Sequence, residues 1–307
     1  MLDPRLKVLQ LVAHHGTVTA AAAALHYSPS AVSYQLRQLA EELGVELVAQ
    51  RGRGIQLTAA ARALLRHVEA LQAQAERAYA ELASLSEEPS GSFTLCGFST
   101  AATNLLPPAA AALRERHPGL RVRVIEAEPA RCFDLLLAGE ADLALVINSA
   151  DTPSTADERF DQQPLLDDPL DLVVPARHRL TEFRAVTLAD AADEPWIVAL
   201  PGGAYHDLVR TACMAAGFTP NIAHYANEWD TGAALVAHGF GIILVPRLAR
   251  LHDDWPVVRL PLHGEPAPAR RITAATRLGR RDHPAVAASL ETISTTAATL
   301  LPPSRLR

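Results

Sequence analysis

Ser30, Ser33, Tyr34 and Arg37 fall at steps of three, one and three, a spacing that gathers them on one side of a helix. Two short hydroxyls, a phenol and a guanidinium are groups that hydrogen-bond to base edges and phosphates. They include no nucleophile with its base and no set of metal ligands. A carboxylate on that face would be repelled by phosphate, and the acids Glu41 and Glu42 come only toward the far end.

A helix must position these groups, and the local sequence builds one. Val32, Leu36, Leu39 and Leu43 recur at steps of four, three and four, an apolar stripe on the opposite side. Ser28 is placed as an N-cap with Pro29 at the first helical position. Ahead of it, Leu6, Leu9, Val12 and Ala13 predict a helix ending near Gly16. TVTAAAAALHYS predicts a short second helix, capped by Thr17 or Thr19 and stopping around His26 and Tyr27. Two short helices joined by a tight turn make a helix-turn-helix, whose second helix enters the major groove. VELVAQRGRGIQLT then reads as a β-hairpin with Arg51 and Arg53 near its tip, suited to phosphate or the minor groove. Residues 1 to 66 hold seven Lys or Arg against four Asp or Glu, inside a chain of net charge −6. The reading head is locally basic on an acidic body.

At this point LVAHHGTVTAAAAALHYSPSAVSYQLRQLAEELGVELVAQRGRGIQLTAAA resembles the winged helix-turn-helix of LysR-type transcriptional regulators, with matches at Ala21, Ala22, Leu25, Ser28, Ser33, Leu36, Leu39, Gly44, Leu57 and Thr58. Departures stand at Ala40, Val48, Gln50 and Ala61, where the family usually has Glu, Phe, Arg and Gly; Gln50 removes one expected phosphate contact. The resemblance implies double-stranded DNA with an inverted repeat as a partner. Ser28, Ser30, Ser33, Tyr34, Arg37, Arg51 and Arg53 are the expected DNA-binding residues.

From Thr58 to about Glu87 no Gly or Pro interrupts a helical pattern. Leu64, Val68, Leu71, Ala75, Ala78, Leu82 and Leu85 keep a heptad spacing, which predicts a coiled coil and therefore a homodimer; the resemblance adds a homotetramer as the alternative. EEPSGS, residues 87 to 92, is a linker by composition.

The remaining two thirds alternate strand and helix. FTLCGF, RVRVIEA and DLALVI are separated by helices around AAALRERH and ARCFDLLLAG. A second set has strands DLVVP, WIVAL, NIAHYA and GIILVP with helices near 204 to 216 and 229 to 238. RRITAATR and a helix beginning near Pro284 close the chain. This pattern predicts βα units of a parallel sheet, whose ligands bind outside the carboxyl ends of strands. Ser99 and Thr100 follow the first strand at a helix start, where an anion is favoured; capping is the alternative role for them.

AGEADLALV and VAHGFGIILVP are similar to motifs in the two effector subdomains of LysR-type regulators. The resemblance implies two periplasmic-binding-protein-like α/β subdomains hinged near 164 and 265, with a small-molecule effector in the cleft. Ser99, Thr100, Val146, Tyr205 and Asn227 are the expected effector-binding positions. The expected organisation is a winged helix-turn-helix at 1–58 and a linker helix at 59–88. An effector domain at 89–307 follows, with subdomain I at 89–164 and 265–307 and subdomain II at 165–264.

Composition closes off other classes. At 307 residues and 49% apolar the chain has room for two or three domains. No run of about 18 apolar residues offers a membrane span, and MLDPRLKVLQ lacks the features of a signal peptide, so a cytoplasmic location is expected. Cys96, Cys132 and Cys213 form no CxxC and read as reduced, buried small hydrophobes. GFG at 239 to 241 is a fragment of a dinucleotide fingerprint, and no GxxxxGK[ST], HExxH or GxSxG occurs. No catalytic residue, cofactor or metal is expected, and His14 with His15 reads as a capping pair at a helix end.

Overall fold

The computed structural model describes residues 3–51, 54–85, 90–265 and 267–301, with the side chains at 50, 51 and 54 also outside the description. Helix boundaries at the start of the chain follow from their caps. α1, Pro4–His15, starts at Asp3, whose side chain accepts from the Arg5 N–H, and stops at Gly16. α2, Val18–Ala24, is capped by Thr17. α3, Pro29–Leu43, is capped by Ser28, whose Oγ accepts from Ala31 N at 3.1 Å. The turn between α2 and α3 is closed by His26 at φ 56°, a left-handed conformation uncommon for a side-chain-bearing residue. His26 N–H bonds the Ala23 carbonyl and Tyr27 N–H the Ala22 carbonyl, the paired bonds that satisfy a helix end.

β1, Val48–Arg51, pairs antiparallel with β2, Gly54–Leu57, to give the hairpin. α4, Ala59–Ser84, begins at Thr58, whose hydroxyl accepts from Ala61 N and donates to the Glu46 carbonyl. Of the linker expected at 87 to 92, residues 87–89 lie outside the described residues, and Gly91 and Ser92 already belong to the strand Gly91–Gly97.

Two compact units follow from the contacts, one of residues 1–164 and 273–296, the other of 165–272 and 297–307. In the first, β3 (Gly91–Gly97) pairs in parallel with β4 (Leu120–Glu126) and β5 (Leu143–Ile147). α5 (Ser99–Asn104), α6 (Leu106–Arg116) and α7 (Pro129–Ala138) are the intervening helices. One continuous apolar core joins Leu9, Val12, Ala21 and Leu36 of the helix-turn-helix to Phe133 and Leu136 of α7.

β6, Phe160–Pro175, carries the chain into the second unit. There β7 (Pro195–Val198) and β8 (Asn221–Tyr225) are parallel, with α8 (Ala204–Ala215) between them. α9 (Trp229–Ala237) precedes β9 (Ile243–Pro246), and β10 (Val257–Leu260) follows it. Both β9 and β10 pair with β6 in antiparallel fashion, so the expected parallel pairing holds for β3 with β4 and β5 and for β7 with β8 but not around β6. β6 traverses two units as one long strand and enters the second in the reverse sense. β11, Ala269–Arg277, returns the chain, and α10, Pro284–Leu300, follows. By contacts the second crossing between the units lies at 272/273, inside continuous strand β11.

Candidate functional site

α3 buries Val32, Leu36 and Leu39 and presents Ser30, Tyr34 and Arg37 to solvent, with Ser33 half-buried between them. Tyr34 is 57% exposed. Ser28 Oγ lies 2.9 Å from Ser30 Oγ, so the capping hydroxyl and its neighbour are already paired. Leu43, expected in the stripe, is 45% exposed, because the helix ends at Gly44 and its last turn projects beyond the core. Glu42 is drawn back to Arg5 of α1, and Glu41 accepts from Gln38. The N-terminal turns of α3 thus show donors and hydroxyls, with the acids at the other end. Arg53 and the side chain of Arg51 lie outside the described residues.

α4 carries two faces. Ala61, Leu65, Val68, Ala73, Glu76 and Ala80 are buried in the first unit, a stripe that sequence periodicity did not single out. The heptad seam diverges from it. Val68 is buried by the chain itself, whereas Leu71, Leu82 and Leu85 are 57%, 64% and 76% exposed. Glu76 is held in a buried cluster, bonded by Arg277 and Arg280, which also meet Asp142. Burial pushes Glu76 up, but the two guanidiniums outweigh it and hold the carboxyl below its ordinary range.

His14 and His15 stand partly exposed in the last turn of α1, and both turn toward an acid of another helix. Their Nε2 atoms lie 3.7 and 2.8 Å from Asp134 Oδ1 on α7. Among the described residues this is the one group of three that could crowd around a cation. Arg159 stands 3.3 Å from His14 Nδ1 and Arg131 3.6 Å from Asp134 Oδ2, so two guanidiniums already supply the positive charge. The set is an ion-pair cluster that joins α1 to α7. Arg131 also donates to the Ala24 carbonyl and meets His26 Nε2 at 3.1 Å, holding the turn that precedes α3.

In the first unit, Ser99 and Thr100 open α5 directly after β3, and Val146 ends in the core on neighbouring β5. Ser99 is exposed, Thr100 and Val146 buried. Phe98, which offers no capping oxygen, stands at the N-cap, so neither hydroxyl serves as the cap. In the second unit, Asn227 follows β8 and accepts from Leu200 N at 3.1 Å, tying the exits of β7 and β8. Tyr205, at the start of α8, donates its hydroxyl to the Leu244 carbonyl and packs edge-on to Trp229 at 4.8 Å. Its phenol is spent on the backbone. The three cysteines are free and buried. Cys132 beside it and burial push the Cys96 thiol far up, and burial pushes Cys213 up to about 12.

Residues 4–62 match the family described as bacterial regulatory helix-turn-helix protein, lysR family, and residues 86–298 match the LysR substrate binding domain. The chain is 30% identical over 234 residues to the HTH-type transcriptional regulator AlsR of Bacillus subtilis, spanning 75% of each. It is 31% identical over 288 residues to the hydrogen peroxide-inducible genes activator of Escherichia coli O6:H1, spanning 89% of this chain and 88% of that one. The solved structure of HinK, a LysR family regulator from Pseudomonas aeruginosa, is 23% identical with a TM-score of 0.59, covering 95% of this chain and 96% of that chain. These are transcriptional regulators and not enzymes. Among the described residues no helix is long and apolar enough to cross a membrane.

Proposed function

Because this chain belongs to the LysR-type family of DNA-binding transcriptional regulators, we propose that it reads an inverted-repeat operator through α3 as a dimer and responds to a small-molecule effector. The exposed N-terminal half of α3 carries the reading: Ser30, Tyr34 and Arg37 stand clear of the core with no carboxylate among them. Ser30, Ser33, Tyr34 and Arg37 meet bases and nearby phosphates, Ser28 fixes the helix start, and Arg51 and Arg53 hold the wing on the backbone. The uncovered leucines of α4 support a partner helix, and two heads related by a two-fold axis match an inverted repeat.

For the effector, Ser99, Thr100 and Val146 of the first unit and Tyr205 and Asn227 of the second are the proposed contacts, all near the carboxyl ends of strands. The uncapped start of α5 favours an anionic group there. One relative is named for induction by hydrogen peroxide. The burial of all three cysteines, with the thiols of Cys96 and Cys213 pushed up, favours a non-covalent effector over a reactive cysteine.

Arg37→Ala is expected to weaken specific binding by about 1–3 kcal/mol and non-specific binding far less. Arg53→Ala is expected to weaken both alike and to lower the salt slope by about one. Competition titrations at several salt concentrations measure this, and equal losses for both variants would refute the division of labour.

A further inference from the structure

The two strands that cross between units are rooted in the first unit at Arg159, immediately before β6, and at Arg277, the last residue of β11. The roots are tied together: Leu278 N–H donates to the Arg159 carbonyl at 2.9 Å. Each root arginine also grips the N-terminal half of the chain. Arg277, with Arg280, bonds Glu76 on α4. Arg159 reaches His14 in the last turn of α1, Nη2 to Nδ1 at 3.3 Å. Asp157 aligns that guanidinium, accepting from its Nε at 2.9 Å and its Nη2 at 2.6 Å.

A guanidinium can only donate, so His14 Nδ1 is the acceptor and the neutral ring carries its proton on Nε2. That atom faces Asp134 Oδ1. We propose that the His14–Arg159 contact is an acid-sensitive joint between the helix-turn-helix head and the root of the two crossing strands. Protonation converts Nδ1 from acceptor to donor and sets two cations against each other. Asp157 beside Arg159, His15 on the same helix, and Asp134 and Arg131 on α7 are the other charged or titratable groups around His14. Glu69 on α4 lies in the fields of Arg159, Asp157 and Glu158. Burial first, then Arg159 and His15, hold the His14 imidazole below its ordinary 6.5, outweighing Asp134 and Asp157. A histidine depressed in the folded state contributes its full stability above that ordinary value, and the contribution falls as the pH drops below it.

Among the described residues no histidine is hydrogen-bonded to the second arm, from Arg277 and Arg280 to Glu76, but His283, held below its ordinary value by burial and then by Arg280, lies in the field of the same cluster. Acid therefore acts on the α1 joint through a histidine in direct contact, and on the α4 arm only through the field of His283. The consequence for operator binding rests on the head being the DNA reader, but the joint itself is tested without DNA.

Hydrogen exchange of the full-length chain at pH 7.5 and pH 5.5, corrected for intrinsic rates, measures opening of α1 and of residues 157–164. In the wild type the opening constant of these segments is expected to rise at the lower pH, by up to about tenfold for one histidine of ordinary value 6.5, with α9 unchanged. His14→Gln removes the response and Arg159→Gln reduces it, since burial of His14 remains; if the first does not fold, the second decides. Equal wild-type protection at the two pH values, or a variant that responds as the wild type does, overturns the proposal.

Discussion

Glu76→Gln probes the anchoring of α4 most sharply. Glu76 is 8% exposed, and its carboxylate receives Arg277 Nε and, at 2.8 Å, Arg280 Nη1. Asp142 lies 3.4 and 2.7 Å from the same two guanidiniums, so two acids balance two bases. The amide leaves one buried positive charge uncompensated. Breaking a buried pair costs about 3–5 kcal/mol, but Asp142 still serves both arginines and the glutamine oxygen keeps one acceptor. The expected loss is therefore about 2–3 kcal/mol. Urea unfolding at pH 7 measures it. All three tryptophans, Trp196, Trp229 and Trp255, lie in the second unit, so indole fluorescence follows that unit while far-ultraviolet circular dichroism also follows α4. At a slope of about 2 kcal/mol per molar urea, the dichroism midpoint should fall by about 1 M. Because Glu76 is depressed below its ordinary 4.5 in the folded state, the difference between wild type and variant is full at pH 7. It shrinks as the pH falls through the folded value. A loss under about 0.5 kcal/mol at pH 7 would refute the assignment of this cluster as the anchor.

Two further outcomes follow from exposure. Leu71→Glu combined with Leu82→Glu, both on the uncovered face of α4, should convert the proposed dimer to a monomer in sedimentation velocity; a variant that still sediments as a dimer would exclude this face as the interface. Native protein should leave Cys96, Cys132 and Cys213 unalkylated over a time in which urea-unfolded chain labels all three, since each is buried; rapid native labelling would reopen a thiol-based response.

Features set by neighbours in sequence were legible from it. Ser28 and Pro29 define the start of α3 locally, as Thr58 defines that of α4, and a cap needs only the next turn to act. Arrangements that depend on distant partners were not. Nothing near Glu76 announces a buried acid, because Arg277 lies 201 residues away. His14 and His15 read as a pair at a helix end until Asp134 of α7 is brought against them. The buried stripe of α4 rests partly on Ala61, Ala73 and Ala80, small residues that periodicity does not separate from the alanines elsewhere in this chain. Leu43 fits the apolar spacing and is exposed because the helix stops one residue later. The antiparallel entry of β6 was hidden for a related reason: alternation and length report a strand but not the sense of its partners.

A footprinting titration of the full-length protein, on the intergenic DNA beside its own gene and at several salt concentrations, tests the central claim most directly. The account predicts a protected inverted repeat, lost in Arg37→Ala at protein concentrations that protect it in the wild type. Protection without sequence preference, or an unchanged footprint in Arg37→Ala, would contradict the assignment of α3 as the reading helix.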